Sequence, residues 1–280
     1  MQIFKTKTDL QNYLSIISSK KLTIGFVPTM GALHKGHLSL VKKAQLKNDV
    51  TVVSIFVNPT QFNKTEDLAK YPKTFENDIS LLESVNCTAL FAPTVDEIYA
   101  KNIVSDTFNF QGLENVMEGT FREGHFNGVA TIVKRLFEII QPTSAYFGEK
   151  DFQQLQIIKR LVKDFQIPIN VEGCAVFREK DGLAMSSRNM RLSKKNRIAA
   201  PFIYKTLKKA KEKFGIESVI AVNDWVKIMF ENHPDLELEY FTIANPETLQ
   251  EIKKKEDAKK HRAFIAVFAG EIRLIDTIEF

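Results

Sequence analysis

Cysteine, long apolar runs and flexible linkers are scarce in this chain. Cys87 and Cys174 are its two cysteines. They lie far apart with no CxxC, so neither a zinc knuckle nor a disulfide framework is available. Both sit in apolar, strand-like surroundings (86–91 and 171–177), and we read them as reduced core residues, as expected in the cytoplasm. No window approaches the ~20 continuous apolar residues of a membrane helix. The opening MQIFKTKTDLQNYL lacks the apolar stretch of a signal peptide. We therefore expect a soluble, cytoplasmic protein. Gly/Ser- or Pro-rich linkers and internal repeats are also missing.

What is present is an ordinary globular composition, 44% hydrophobic and 26% charged. That allows a sizeable core and excludes intrinsic disorder, a collagen-like fibre and a disulfide-stapled miniprotein. At roughly 150 residues per domain, 280 residues predict two domains. Lys plus Arg (39) exceeds Asp plus Glu (34), a net charge of +5. The mild excess fits a site for anionic small molecules about as well as a weak nucleic-acid patch.

The first two thirds alternate strand and helix. Lys21–Val27 is a short apolar run ending at Pro28, and His37–Asn48 reads as a helix. Val50–Val57 (VTVVSIFV) is nearly continuous and β-branched, as in a strand buried on both faces. Thr74–Val85 reads as a helix and Ala89–Phe91 as a strand. The order favours parallel βαβ units. Val129–Ile140 is the clearest helix, with apolar residues at spacings of three and four up to a stop at Pro142. Ala145–Phe147 is a short strand. A helix with Phe152, Leu155, Ile158, Leu161, Val162 and Phe165 on one face follows, then a strand over Asn170–Phe177. Beyond about residue 185 the texture becomes α+β. Ser193–Phe214 reads as one long helix with eight Lys or Arg, and Ile216–Asn232 as another helix. Leu236–Ala244 and Ala263–Ile278 read as antiparallel strands, the latter turning at Gly270-Glu271. The expected fold is thus α/β, with a parallel-sheet domain over 1–180 and a smaller α+β domain over 181–280.

Four segments carry possible chemistry, all predicted at one rim of the sheet. Pro28–His37 (PTMGALHKGH) joins a strand to a helix, where open α/β sheets place their ligand crevice. Gly31 and Gly36 let backbone approach a ligand. His34 and His37 fall at a helix N-terminus, whose N–H groups and dipole attract anions. A histidine there can also simply cap the helix, and a pair three apart can bind metal, although no third ligand stands nearby. Phe56–Phe62 (FVNPTQF) offers the amides of Asn58 and Gln61 at a strand end, or an ordinary Asn-Pro turn. Phe147–Gln154 (FGEKDFQQ) places Lys150 and Asp151 at the same edge. A lysine there suits charge building on a phosphoryl group, while Asp151 also suits an N-cap. Asp181–Asn189 (DGLAMSSRN) offers two hydroxyls and an arginine for polyphosphate, or a polar loop before a helix. Glu118–Gly128 (EGTFREGHFNG), with Arg122 and His125, is a candidate wall over the site.

Together with Tyr71-Pro72, GHFNGVATIVKRLF and the closing RLIDT, these segments resemble the pantoate–β-alanine ligase (pantothenate synthetase) family in order and approximate spacing. The resemblance runs from about residue 20 to Asn189. HxGH alone would indicate only the wider nucleotidyltransferase group. The resemblance implies a Rossmann-like catalytic domain. It implies a reaction in which ATP and (R)-pantoate give pantoyl adenylate and pyrophosphate, and β-alanine then displaces AMP. It further implies that Met30, Gly31, Ala32, Leu33, His34, Lys35, Gly36 and His37 line the ATP site. His34, His37 and Lys150 would be catalytic: the histidines stabilise phosphate charge, His37 is the nominee for proton donor, and Lys150 bridges α-phosphate oxygens. Gly148, Glu149 and Asp151, with the backbone of Phe177, would hold adenosine. Met185, Ser186, Ser187 and Arg188 would bind the distal phosphates. Gln61 and Gln154 would hold pantoate, with Gln61 also near β-alanine. Mg²⁺ would accompany ATP. Asp78, whose neighbour is Asn77 rather than a second acid, is left out of any metal set. The family also implies a homodimer, with no nucleic acid or membrane partner.

We expect the polar stretch Asn63–Tyr71 to act as a flap excluding water from the acyl-adenylate. Rival readings are another nucleotidyltransferase and a nucleic-acid binder using Ser193–Phe214. Met185-Ser186-Ser187 is similar to the KMSKS loop of class I synthetases, but Ala184 stands where its first lysine would be. The basic helix has no evident aromatic platform. Lys253–Arg262 (KKKEDAKKHR) reads as a solvated charged face.

Overall fold

The computed structural model describes residues 1–63, 68–69, 71–100, 102–255 and 260–280. Most of the expected flap, and the middle of the 253–262 charge run, lie outside the described residues. The chain divides into two compact units. One comprises Met1–Gly148 and Gln153–Cys174, the other Glu149–Phe152 and Ala175–Phe280.

The first unit is built on six strands: β1 (Gln2–Phe4), β2 (Ile24–Thr29), β3 (Val50–Ile55), β4 (Ala89–Phe91), β5 (Ser144–Gly148) and β6 (Asn170–Cys174). Their order is β1-β4-β3-β2-β5-β6 and every pairing is parallel. The chain runs outward from β2 to β3 and β4, then returns to the other side of β2 as β5. The switch point of this doubly wound sheet therefore falls between β2 and β5. Strand alternation sorts the core onto two faces. Phe26 meets Phe137 edge-on, ring centroids 6.3 Å apart. Val27, Val53, Leu90 and Tyr146 instead pack with Leu38, Val41 and Ala44. Its longer helices among the described residues are α1 (Lys7–Ser19), α2 (Lys35–Lys47), α3 (Phe75–Ser84), α4 (His125–Ile140) and α5 (Phe152–Asp164). Cys87 and Cys174 are both buried.

The second unit holds an antiparallel sheet of β7 (Glu237–Ala244), β8 (Arg262–Ala269) and β9 (Ile272–Glu279). Gly270, at φ 63°, makes the two-residue turn between β8 and β9. Helices α6 (Phe202–Ile216) and α7 (Val219–Glu231) bury Ile203, Leu207, Ala210 and Phe214, and Val219, Val222, Val226 and Phe230, with Ile243, Ile265 and Val267 of the sheet. Those spacings of three and four are the amphipathic signature of helices packed on one side.

Several boundaries differ from the sequence reading. The single basic helix expected over Ser193–Phe214 is two, Lys194–Ala199 and α6, divided at Pro201. Proline has no N–H to continue the ladder. Strand β2 runs through Pro28 to Thr29, but its register with β5 ends at Phe26, so proline sits where β2 borders β3 alone. β1 and α1 had no assignment. β1 is three residues long and two of them are exposed, too little pattern to read.

Candidate active site

In the first unit the loop after β2 is built by two consecutive residues of positive φ, Gly31 at 83° and Ala32 at 50°. A non-glycine residue in that region is uncommon and persists where its surroundings hold it. Asp78, in the first turn of α3 and 1% exposed, does this. Its Oδ2 accepts from Ala32 N–H at 3.0 Å and its Oδ1 from Leu33 N–H at 2.8 Å. Thr74 Oγ1 donates to Oδ1 at 3.1 Å. A Cβ on Gly31 would stand 3.0 Å from Asp78 Oδ2, so loop and carboxylate are in close contact.

The loop delivers the chain to α2, with His34 as N-cap in extended backbone. His34 Nδ1 accepts from Gly36 N–H at 3.1 Å, and His37 Nδ1 accepts from His34 N–H at 3.3 Å. The rings stack with centroids 4.0 Å apart. A nitrogen that accepts a backbone N–H carries no proton, so each neutral imidazole bears its proton on Nε2. Helix capping thereby sets the tautomer of both rings, each with its proton on Nε2 at the positive end of a helix dipole. Capping and anion binding were competing readings in the sequence; the capping is present here, and both rings take part in it.

Gln61 is buried beside this loop. Its Nε2 lies 2.9 Å from Met30 Sδ and its Oε1 accepts from Asn58 Nδ2 at 3.2 Å. Asn58 is 1% exposed and fully engaged: Nδ2 also donates to Gly128 O at 3.0 Å, and Oδ1 accepts from the Tyr99 hydroxyl at 2.6 Å. Burial pushes the Tyr99 pKa up, against its Thr60 and Asn58 hydrogen bonds and Arg135, so the hydroxyl keeps its proton. The backbone carbonyl of Gln61 lies 2.9 Å from His125 Nδ1. Asn58 thus serves here to hold Gln61 rather than as an exposed amide. The expected wall contributes directly: a Cβ on Gly128 would stand 2.7 Å from Gln61 N and closer still to Thr60 O. Gln154 is half-buried in the first turns of α5, whereas buried Gln153 holds Glu118 N–H and the carbonyls of Leu113 and Val116. Gly148 closes β5, and a Cβ there would meet nothing within 4 Å.

The other predicted residues, Glu149, Lys150, Asp151, Phe177 and Met185–Arg188, belong to the second unit. There Lys150, Ala184, Ser186, Arg188, Arg273 and Asp276 line one pocket. Lys150 Nζ is 3.5 Å from Asp151 Oδ2. Ser186 Oγ accepts from Arg188 N–H at 3.2 Å, turning the chain into a 3₁₀ helix over Ser187–Arg191. The segment before it is pinned by Arg178, which makes paired bonds to Asp276 at 2.6 and 2.9 Å and donates to Gly182 O at 3.2 Å. Its guanidinium also stacks 3.6 Å from the Tyr204 ring centroid. Met185 N–H reaches Phe177 O at 2.9 Å, so the exposed Phe177 and the start of the MSSR segment share a backbone bond. Among the described residues no group of three His, Cys, Asp or Glu could cage a metal ion.

Sequence reasoning missed Asp78 and Arg178 as residues that hold site loops. Asp78 acts across 45 residues and Asp276 meets Arg178 across 98; no local spacing encodes either.

The chain matches the family model for pantoate-beta-alanine ligase over residues 2–279. It is 53% identical to a pantothenate synthetase of Christiangramia forsetii over 279 residues, 99% of each chain. It is 47% identical to that of Bacteroides thetaiotaomicron, over 100% of this chain and 99% of the other. Among solved structures it resembles pantothenate synthetase from Thermus thermophilus, with a TM-score of 0.92 at 40% identity over 99% of each chain. It also resembles pantoate-beta-alanine ligase from Francisella tularensis complexed with beta-gamma ATP and beta-alanine, with a TM-score of 0.81 at 37% identity, covering 99% of this chain and 97% of that one. No described helix is long and apolar enough to cross a membrane. With a family match over nearly its whole length, the chain belongs to the pantoate-beta-alanine ligases.

Proposed function

We propose that the chain performs this ligation in two steps with the residues assigned above. A carboxylate oxygen of (R)-pantoate attacks the α-phosphorus of ATP, and the bond to the bridging oxygen of the β-phosphate breaks, releasing pyrophosphate. The neutral amine of β-alanine then attacks the acyl carbon, AMP leaves with the C–O bonding pair, and the nitrogen gives up a proton to solvent as the amide forms. Activation is needed because oxide is a far poorer leaving group than AMP. The observation that carries the reading is the pair of Nε2–H donors on His34 and His37 at the start of α2. They would stabilise charge on the phosphates by hydrogen bonding, with the Nε2–H of His37 directed at the leaving group. Fixed donors of this kind act where charge develops and need no reorganisation at the moment of reaction.

Lys150 would bridge α-phosphate oxygens, and Ser186, Ser187 and Arg188 would hold the distal phosphates. Gly148, Glu149, Asp151 and Phe177 would take the adenosine part, and Met30–Gly36 and Met185 would line the nucleotide. Gln61 and Gln154 would hold pantoate, with Gln61 also near β-alanine. Mg²⁺ would travel with ATP and neutralise charge on the departing pyrophosphate. Magnesium is commonly held through substrate phosphates and water rather than an all-protein cage. The commitment of both Asp78 oxygens to backbone N–H groups supports that arrangement. The family resemblance also supports a cytoplasmic homodimer, which sedimentation would test.

The deciding experiment is pyrophosphate release from ATP and Mg²⁺ with (R)-pantoate, with and without β-alanine. Pantoate-dependent release that turns over rapidly only with β-alanine is expected. No response to pantoate in folded protein would overturn the reading.

A further inference from the structure

We infer that Arg262 is a positioning residue for Lys150, acting by gripping both ends of the short turn that carries it. Arg262 opens β8 and its side chain is 7% exposed. Nη2 bonds Glu149 Oε2 at 3.1 Å, and the guanidinium lies 4.0 Å from the Phe152 ring centroid. Glu279, opposite Arg262 in register on β9, stands 3.7 Å away. Phe152 also packs on Phe264 of β8, centroids 5.8 Å apart. The anchored residues bracket Lys150 and Asp151: Glu149 immediately before, Phe152 immediately after.

The chemistry of arginine suits this grip. A planar guanidinium can bond a carboxylate at its edge while its whole plane stacks on an aromatic face; an ammonium meets such partners only as a point charge without the stacked plane. The residues Glu149–Phe152 group with the second unit, although the chain on either side, up to Gly148 and from Gln153, groups with the first. Arg262 supplies two contacts to this four-residue segment. A cationic group must sit within a fraction of an ångström of the charge it stabilises, and misplacement by about 1 Å can lower a rate by about 10²-fold.

The inference rests on the proposed role of Lys150, so the test is a double-mutant cycle read by single-turnover formation of pantoyl adenylate. Arg262→Met should fold, because the Glu149 carboxylate it releases is 30% exposed rather than stranded. We expect an adenylation rate roughly ten- to a hundredfold lower, with a much smaller change in the KM for ATP. In a Lys150→Ala background the same substitution should change the rate at saturating ATP less than about twofold, since the cation whose placement sets that rate is gone and the adenosine contacts of Glu149 and Asp151 act on ATP binding. Arg262→Lys, which keeps the ion pair but not the stack, should recover part of the rate. Equal losses in both backgrounds, or a wild-type rate in Arg262→Met, would overturn the inference while leaving Lys150 in place. A wild-type rate in Lys150→Ala would instead remove the role of Lys150 and the inference with it.

Discussion

Asp78 and Leu33 are joined by a 2.8 Å hydrogen bond that spans 45 residues of sequence. With the companion bond to Ala32, it turns a buried carboxylate into the staple of the loop that launches α2. The loop backbone has two residues of positive φ and only one is glycine. Asp78→Ala would leave two amide donors unpaired, at about 1–3 kcal/mol each. We expect a stability loss of about 2–6 kcal/mol and a raised KM for ATP, read from urea denaturation and pyrophosphate release. Asp78→Asn should do little better, because half of its carboxamide is a donor facing a donor.

His34→Ala removes the N-cap acceptor of α2 and one Nε2–H donor. The lost cap accounts for about 1 kcal/mol, and the lost donor for about 10²–10³-fold in adenylation. His34→Asn separates them. It restores a capping oxygen but cannot reach as far as Nε2, so stability should return without activity. Recovery of both in a thermal melt and a turnover assay would remove the catalytic assignment.

Gly128 tests the packing of α4 against the Gln61 backbone. An added methyl has no room beside Thr60 O and Gln61 N. Gly128→Ala should therefore shift Gln61, lowering stability by about 1–3 kcal/mol and raising the KM for pantoate more than that for ATP. An unchanged pantoate KM would show that Gln61 is not held by this contact.

Burial pushes the Cys87 thiol up to about 11 from a reference of 9.0. The folded state thus favours the protonated form. The stabilisation is complete below the unfolded pKa and fades as pH rises from about 9 towards 11, by on the order of 2 kcal/mol. Cys87→Ser should flatten that part of the stability profile. At pH 8 the native thiol should resist alkylation and react only after unfolding, as mass spectrometry would show.

Much of the first unit is legible in sequence because buried parallel strands and amphipathic helices leave continuous or periodic apolar patterns. Val50–Ile55 and Val129–Ile140 are plain for that reason, whereas the first turn from His125, read as part of a glycine-rich wall, was not. The division at Pro201 could have been read from the proline itself. The glycine loop and the two histidines were legible as residue types at a strand-to-helix joint. Their protonation pattern was not, since it depends on which ring nitrogen meets which backbone amide. Asn58 shows a further limit: an amide at a strand end reads as a substrate contact until its partners Tyr99, Gly128 and Gln61 are known. Contacts such as Arg178 with Asp276 and Arg262 with Glu149 join residues separated by 98 and 113 positions. A single sequence carries no period or motif for such pairs.

The stacked histidines also constrain how this enzyme can change over time. On each ring Nδ1 belongs to the architecture, and the proposed chemistry falls to Nε2. A neutral imidazole presents an acceptor and a donor on one rigid ring, and its far nitrogen reaches beyond the amide donor of an asparagine that caps in its place. A lineage that lost the reaction would still need something to cap α2, and one that found another cap would lose the donor. Neither histidine can drift alone, because each holds the other's backbone or the turn between them.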